Sequence, residues 1–249
     1  MLRKKKNNLE WLEFEQLSGI PGLVHGVFSR RGGVSQPPFD SLNVAYGPDN
    51  PEDVRANRAL ICAALGLECV RSPSMEHGGR LIFLNDAQLV KEKCDAFATD
   101  QPKLGLMVDH ADCQSAIFYD PVKRMIANVH CGWRGNVCNI YKNAVEFLKV
   151  RGCRPENLLV CISPSLGPEK AQFIHYEKEL PVSFRAFQFK PLYFDLWAVS
   201  RSQLEEAGVL PHHIEIAGIC THSEADDFFS YRRDKLTGRN GTIVGFTEF

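Results

Sequence analysis

The chain has 249 residues, 44% of them hydrophobic and 24% charged, a globular composition with material for a sizeable core. With 29 basic and 30 acidic residues and a formal net charge of −1, it lacks the basic excess of a nucleic-acid binder. No segment approaches the roughly 20 apolar residues of a membrane span.

At the start of the chain, Arg3-Lys4-Lys5-Lys6 reads as a solvated, frayed terminus rather than a nucleic-acid arm. The polar stretch Asn7-Asn8-Leu9-Glu10 stands where a signal peptide would need an apolar core. Leu23 to Ser29 is a predicted strand, followed by a tight turn at Arg31-Gly32-Gly33. Pro51 to Leu65 is a predicted helix, with Pro51, Glu52 and Asp53 suiting its first turn and Gly66 its stop. Leu81 to Leu84 is a short strand.

Leu104 to Val108 and Ser115 to Tyr119 are strands around the polar knot Asp109 to Cys113. Met125 to Val129 is a strand ending at His130, and Gly132-Trp133-Arg134-Gly135 leads into a helix over Asn136 to Val150. Leu158 to Ile162 and Ile214 to Ile219 are strands, 195–208 is a helix, and Phe228 to Gly241 is an arginine-rich loop before a last strand, Ile243 to Phe246. Helices alternating with strands favour an α/β or mixed α+β fold, and with no linker in view the whole of 1–249 reads as one domain. Nine cysteines, an odd number with no CxxC pair, argue against a disulfide framework and for the cytoplasm.

Three of these segments carry metal-ligand chemistry: His77 in Met75-Glu76-His77-Gly78, Cys113 after Ala111-Asp112, and His130 at a strand end. Imidazole nitrogen and thiolate sulfur are ligands zinc prefers, and three protein ligands with one open position make a catalytic site. Zinc also brings the pKa of a bound water toward neutral. The spacing matches no local metal motif, so the same residues also read as a buried thiol and two hydrogen-bonded histidines. A Cys113–His130 nucleophile–base pair, as in Cys-His hydrolases, is a further alternative.

Several stretches resemble one family in order and spacing: Phe28-Ser29-Arg30-Arg31-Gly32-Gly33-Val34-Ser35, Ser41-Leu42-Asn43-Val44, Ala111-Asp112-Cys113, His130-Cys131-Gly132-Trp133-Arg134-Gly135, Pro164 to Pro168 and Phe229 to Asp234 with Thr237-Gly238-Arg239. This is the YfiH family, known as laccase-domain or multicopper polyphenol oxidases and later described as zinc-dependent purine nucleoside phosphorylases with adenosine deaminase activity. The resemblance implies zinc at His77, Cys113 and His130, in an α+β fold of mixed sheets sandwiched between helical layers. It also implies purine nucleosides (adenosine, inosine, guanosine, methylthioadenosine) and phosphate as substrates. The chain departs from the family pattern at Glu76, His110 and Glu169, which bears on substrate range, and His110 is itself a competing ligand.

Phosphorolysis needs an anion clamp, and guanidinium groups match phosphate geometry. Of the arginines in the glycine-rich segments, Arg134 has the best case, four residues after His130 at a predicted helix start. It is read as catalytic with Cys113 and His130. Arg31, Arg233 and Asn43 are read as substrate contacts, Asn43 toward sugar hydroxyls. If 111–113 is extended, Asp112 faces away from Cys113 and supports the site from behind. A copper phenol oxidase is the competing function, since His₂Cys also suits copper, but eight histidines do not supply a multicopper cluster. Peptidoglycan editing is a third role the resemblance allows. The sequence does not define the oligomeric state.

Overall fold

A computed structural model describes residues 1–87 and 90–247. In chain order the elements are β1 (Leu2–Lys6), β2 (Leu9–Glu13), β3 (Leu23–Phe28), α1 (Pro51–Leu65), β4 (Cys69–Arg71), β5 (Leu81–Phe83), β6 (Ala96–Thr99) and β7 (Leu104–His110). There follow β8 (Gln114–Asp120), β9 (Met125–Cys131), α2 (Trp133–Val137), α3 (Ile140–Lys149), β10 (Leu159–Ile162) and α4 (Tyr176–Glu179). The chain closes with β11 (Gln188–Lys190), β12 (Tyr193–Phe194), α5 (Leu196–Glu206), β13 (Ile214–Ile216), α6 (Tyr231–Asp234) and β14 (Asn240–Phe246).

Two six-stranded sheets run β1-β2-β3-β14-β7-β4 and β13-β10-β8-β9-β6-β5. Both are mixed, with parallel pairs β4–β7, β5–β6 and β10–β13 among antiparallel neighbours. Their inner faces share an apolar layer that includes Val27, Leu106, Ile117, Ile126 and Val244. On the outer face of the first sheet, Ile61 and Leu65 of α1 cluster with Met107 and Ile243. On the outer face of the second, Tyr141, Ala144 and Leu148 of α3 cluster with Ala116, Phe118 and Val129. The order is helix, sheet, sheet, helix: mixed sheets between helical layers. This layering buries β8, β9 and β14 at every position, which is why their sequences read as continuous apolar runs rather than alternating ones.

One polar residue crosses the inner layer. Asn128 Nδ2 donates to the carbonyls of Leu106 (3.0 Å) and Thr242 (2.8 Å), and its Oδ1 accepts from Ser115 Oγ at 2.6 Å. It lies on the same face of β9 as Ile126 and His130, so alternation along this strand delivers His130 to the space between the sheets.

The helix α1 spans the expected Pro51–Leu65 and stops at Gly66, which takes a left-handed φ of 72°; its N-cap is Asn50, whose Oδ1 accepts from Glu52 N at 3.0 Å. Elsewhere the structure departs from the sequence reading. Arg3 to Lys6 is not frayed; it is strand β1, paired with β2 and facing its acids, Lys5 with Glu10 (3.1 Å) and Lys4 with Glu13 (3.7 Å). The expected helix 136–150 starts three residues earlier and divides at Asn139, whose φ is 52° and whose side chain accepts from Lys142 N. The strand from Ile214 stops at Ile216, before Gly218 turns the backbone at φ 64°. Among the described residues, no helix is long and apolar enough to cross a membrane.

Candidate functional site

Two of the chain's crossings between the sheets carry a donor. The chain leaves β4 of the first sheet and enters β5 of the second through the loop holding His77. It leaves β7 of the first and enters β8 of the second through the bend Ala111 to Cys113. His130 stands at the end of β9, beside β8. One ligand atom from each of His77, Cys113 and His130 lies within 4.8 Å of the others. The two imidazoles meet edge to face with centroids 4.9 Å apart. His77 is exposed, Cys113 half-buried and His130 buried. Gly132 leaves room for this approach: a Cβ there would lie 3.0 Å from Cys113 Sγ and 3.3 Å from His77 Cδ2.

Behind the donors sits Asp95, fully buried at the start of β6. Its Oδ1 accepts the backbone N–H of His77 (2.8 Å) and meets His130 Nδ1 (3.1 Å), while Oδ2 accepts the N–H of Gly78 (2.7 Å). A proton held on Nδ1 by Asp95 leaves Nε2 of His130 as the free lone pair, the arrangement in which a carboxylate orients a metal-binding imidazole. The two amide bonds also hold His77 at its positive φ of 60°. Burial opposes charge on Asp95, but the His130 contact and the Gly78 and His77 amides outweigh it and hold the carboxyl below its ordinary value. Burial likewise opposes ionisation of Cys113, and the adjacent His130 overcomes it, lowering the thiol; Cys113 in turn raises the imidazole.

The donor set fits a zinc-type ion. Two imidazoles and a thiol of lowered pKa are borderline-soft ligands, and three of them leave a position open. His77 and Cys113 line a cavity of about 360 Å³. Trp133, Phe173 and Tyr231 add aromatic surface to it, and Arg134, Arg232 and Lys235 add positive charge.

The expected substrate residues divide. Arg134 is in the cavity, exposed, its guanidinium 4.2 Å from the Trp133 ring centroid and in no ion pair among the described residues. Arg31, Asn43 and Arg233 are not among the cavity's lining residues, because each is committed elsewhere. Arg31 donates to Asp226 O (2.9 Å) and pairs with Asp227 (3.6 Å). Asn43 Nδ2 donates to Asp49 (2.8 Å), and its Oδ1 accepts the N–H groups of Ala45 and Arg239. Arg233 donates to the carbonyls of Thr221, His222 and Phe228.

Asp112 is not extended: its φ is 86°, so the alternation argument does not apply. Its carboxylate accepts from Thr221 Oγ1 (2.7 Å) and Arg232 N (2.6 Å). His110 is no ligand here; buried on β7, it meets Thr242 Oγ1 at 2.8 Å. Asp95 was missed from the sequence. The only signal was an acid directly before the short apolar run Ala96-Phe97-Ala98.

An α+β sandwich with a His-Cys-His group at its crossovers defines the class of protein to which this chain belongs. Residues 24–247 match the family described as multi-copper polyphenol oxidoreductase laccase, and the chain belongs to that family. It is similar to purine nucleoside phosphorylase YfiH of Shigella flexneri, 32% identical over 227 residues that cover 87% of this chain and 90% of that protein. It is also similar to a purine nucleoside phosphorylase of Deinococcus radiodurans, 32% identical over 240 residues covering 90% and 89%. Two solved structures share the fold over 98% of each chain with a TM-score of 0.86: hypothetical protein YfiH of Bacillus licheniformis at 26% identity and YlmD of Geobacillus stearothermophilus at 27%.

Proposed function

We propose that the protein is a zinc-dependent purine nucleoside phosphorylase, cleaving adenosine, inosine, guanosine or methylthioadenosine with phosphate, and that it also deaminates adenosine. The observation that carries this reading is the single cavity that joins the His77/Cys113 donors, aromatic surface and an arginine in no ion pair among the described residues. Its volume lies in the range of small-molecule sites, and the names of the relatives support the same chemistry.

In this reading His77, Cys113 and His130 hold the zinc, which when bound supplies Lewis acidity. Trp133, Phe173 and Tyr231 stack the purine and exclude water. Arg134 holds phosphate, its guanidinium already 4.2 Å from the Trp133 ring centroid. Asp95 keeps the Nδ1 proton of His130 in place. Nine free cysteines fit a reducing compartment, and we place the enzyme in the cytoplasm.

The test is metal analysis of the purified protein, paired with incubation of adenosine with and without phosphate. Adenine and ribose 1-phosphate formed only with phosphate, by protein carrying about one zinc per chain, is the expected result. Metal-free protein with full activity would overturn the reading.

A further inference from the structure

The segment 230–239 carries four cations, Arg232, Arg233, Lys235 and Arg239, of which Arg232 and Lys235 line the cavity. Three are committed to backbone carbonyls. Arg232 donates to Lys170 O (3.0 Å) and Gln172 O (3.2 Å), and Arg239 to Thr237 O (2.9 Å) and Gly238 O (3.1 Å). Arg233 is tied to the carbonyls of Thr221, His222 and Phe228 and pairs with Asp234. The Lys235 ammonium has no hydrogen-bonding or ion-pair partner among the described residues; Nζ stands 5.1 Å from the Tyr231 ring centroid, and the residue lines the cavity. The only other lining cation without a polar partner there is Arg134.

The backbone at Lys235 is unusual. Its φ is 59° and ψ −69°, and Leu236 N donates to Asp234 O at 2.7 Å, closing a γ-turn around it. A turn of this sign is strained for any residue with a Cβ, and strain of this kind concentrates at ligand clamps. The turn is docked on the metal loop: Asp112, beside Cys113, accepts Arg232 N at 2.6 Å.

We propose that Lys235 and Arg134 together form the inorganic-phosphate subsite of this cavity, with Asp112 acting as the positioning residue that fixes the lysine turn relative to the metal thiolate. The inference rests on the phosphorolysis reading. Two cations from separate elements, α2 and the end of α6, then hold one tetrahedral anion, while the third lining cation, Arg232, is tied through Nη1 to the carbonyls of Lys170 and Gln172.

The experiment uses the metal-loaded full chain and titrates inorganic phosphate directly by calorimetry, beside the kinetics. Lys235→Gly removes the ammonium while relaxing the turn; Lys235→Arg keeps a charge. For Lys235→Gly, phosphate Kd and phosphate KM should each rise about tenfold, as expected for losing a charge-assisted contact. Nucleoside KM and metal content should hold, and Lys235→Arg should recover part of the loss. Lys178→Met, at an exposed position of α4, is the control. Unchanged phosphate binding in Lys235→Gly overturns the subsite. If wild type does not cleave nucleosides with phosphate, the functional reading fails on its own, while the calorimetric comparison still decides the role of Lys235.

Discussion

The carboxylate of Asp95 stands behind the imidazole of His130, Oδ1 to Nδ1 at 3.1 Å, and the backbone N–H of His130 returns to Asp95 O at 2.8 Å. The second contact is part of the β6–β9 pairing, so sheet register itself aligns the acid with the ring. The same carboxylate accepts the N–H groups of His77 and Gly78. One buried acid thereby orients one proposed ligand and fixes the loop of another.

Removing that acid should loosen the metal while sparing the other donors. Asp95→Asn keeps the shape but not the charge, and metal affinity should fall about 10- to 100-fold, as for other carboxylates behind metal-binding histidines. Competition with a chromophoric chelator measures it. Affinity equal to wild type would show that Asp95 serves only the fold.

Gly132→Ala tests the crowding of the site. The added methyl would sit 3.0 Å from Cys113 Sγ and 3.3 Å from His77 Cδ2, closer than comfortable van der Waals contact. Metal content and turnover should both drop sharply, with circular dichroism retained, because the backbone of Gly132, at φ −79° and ψ −179°, is one that alanine adopts. Normal turnover in this variant would mean that the three donors do not act together.

Arg134→Ala should impair phosphorolysis of adenosine about tenfold or more through the phosphate KM, since a charge-assisted contact is lost. Deamination, which consumes water, should change much less. Lysine at this position should restore only part of the loss, because it keeps charge but not the planar fork. Product analysis by chromatography separates adenine from inosine. Equal losses in both reactions would assign Arg134 to the nucleoside or the fold.

Acid stability should depend on His25, which is 3% exposed and accepts the Phe14 N–H on Nε2 at 2.8 Å. Burial pushes its pKa from 6.5 down to about 4, with Glu13 opposing. The unfolded chain therefore takes up the proton first as pH falls. The stabilisation is complete above pH 6.5 and is lost progressively down through pH 4. That gap corresponds to roughly 3 kcal/mol. His25→Gln, which keeps an acceptor without the titration, should lose less stability than wild type between those limits in urea melts. Parallel pH profiles for the two proteins would refute the assignment.

The sequence by itself determined the elements whose causes are local. Helix α1 is marked by Pro51, Glu52, Asp53 and Gly66, and the apolar runs of β7 to β9 and β14 mark buried strands. It also supplied the motifs around Cys113 and His130 that carry the family resemblance, and the alternation that separates His130 from Cys131. Local pattern could not say that Arg3 to Lys6 is a strand, because its partners are acids on β2 and the distant Asp227. Nor could it sort the arginines: Arg31, Arg134 and Arg233 look alike in a sequence, and only the carbonyls and carboxylates folded around them show which charge is left for a ligand. The site itself was decided by tertiary structure. His77, Cys113 and His130 lie 36 and 17 residues apart, and they meet because the loops of two crossings between the packed sheets reach the end of β9. Asp95 joins them through hydrogen bonds that exist only once β6 has paired with β9.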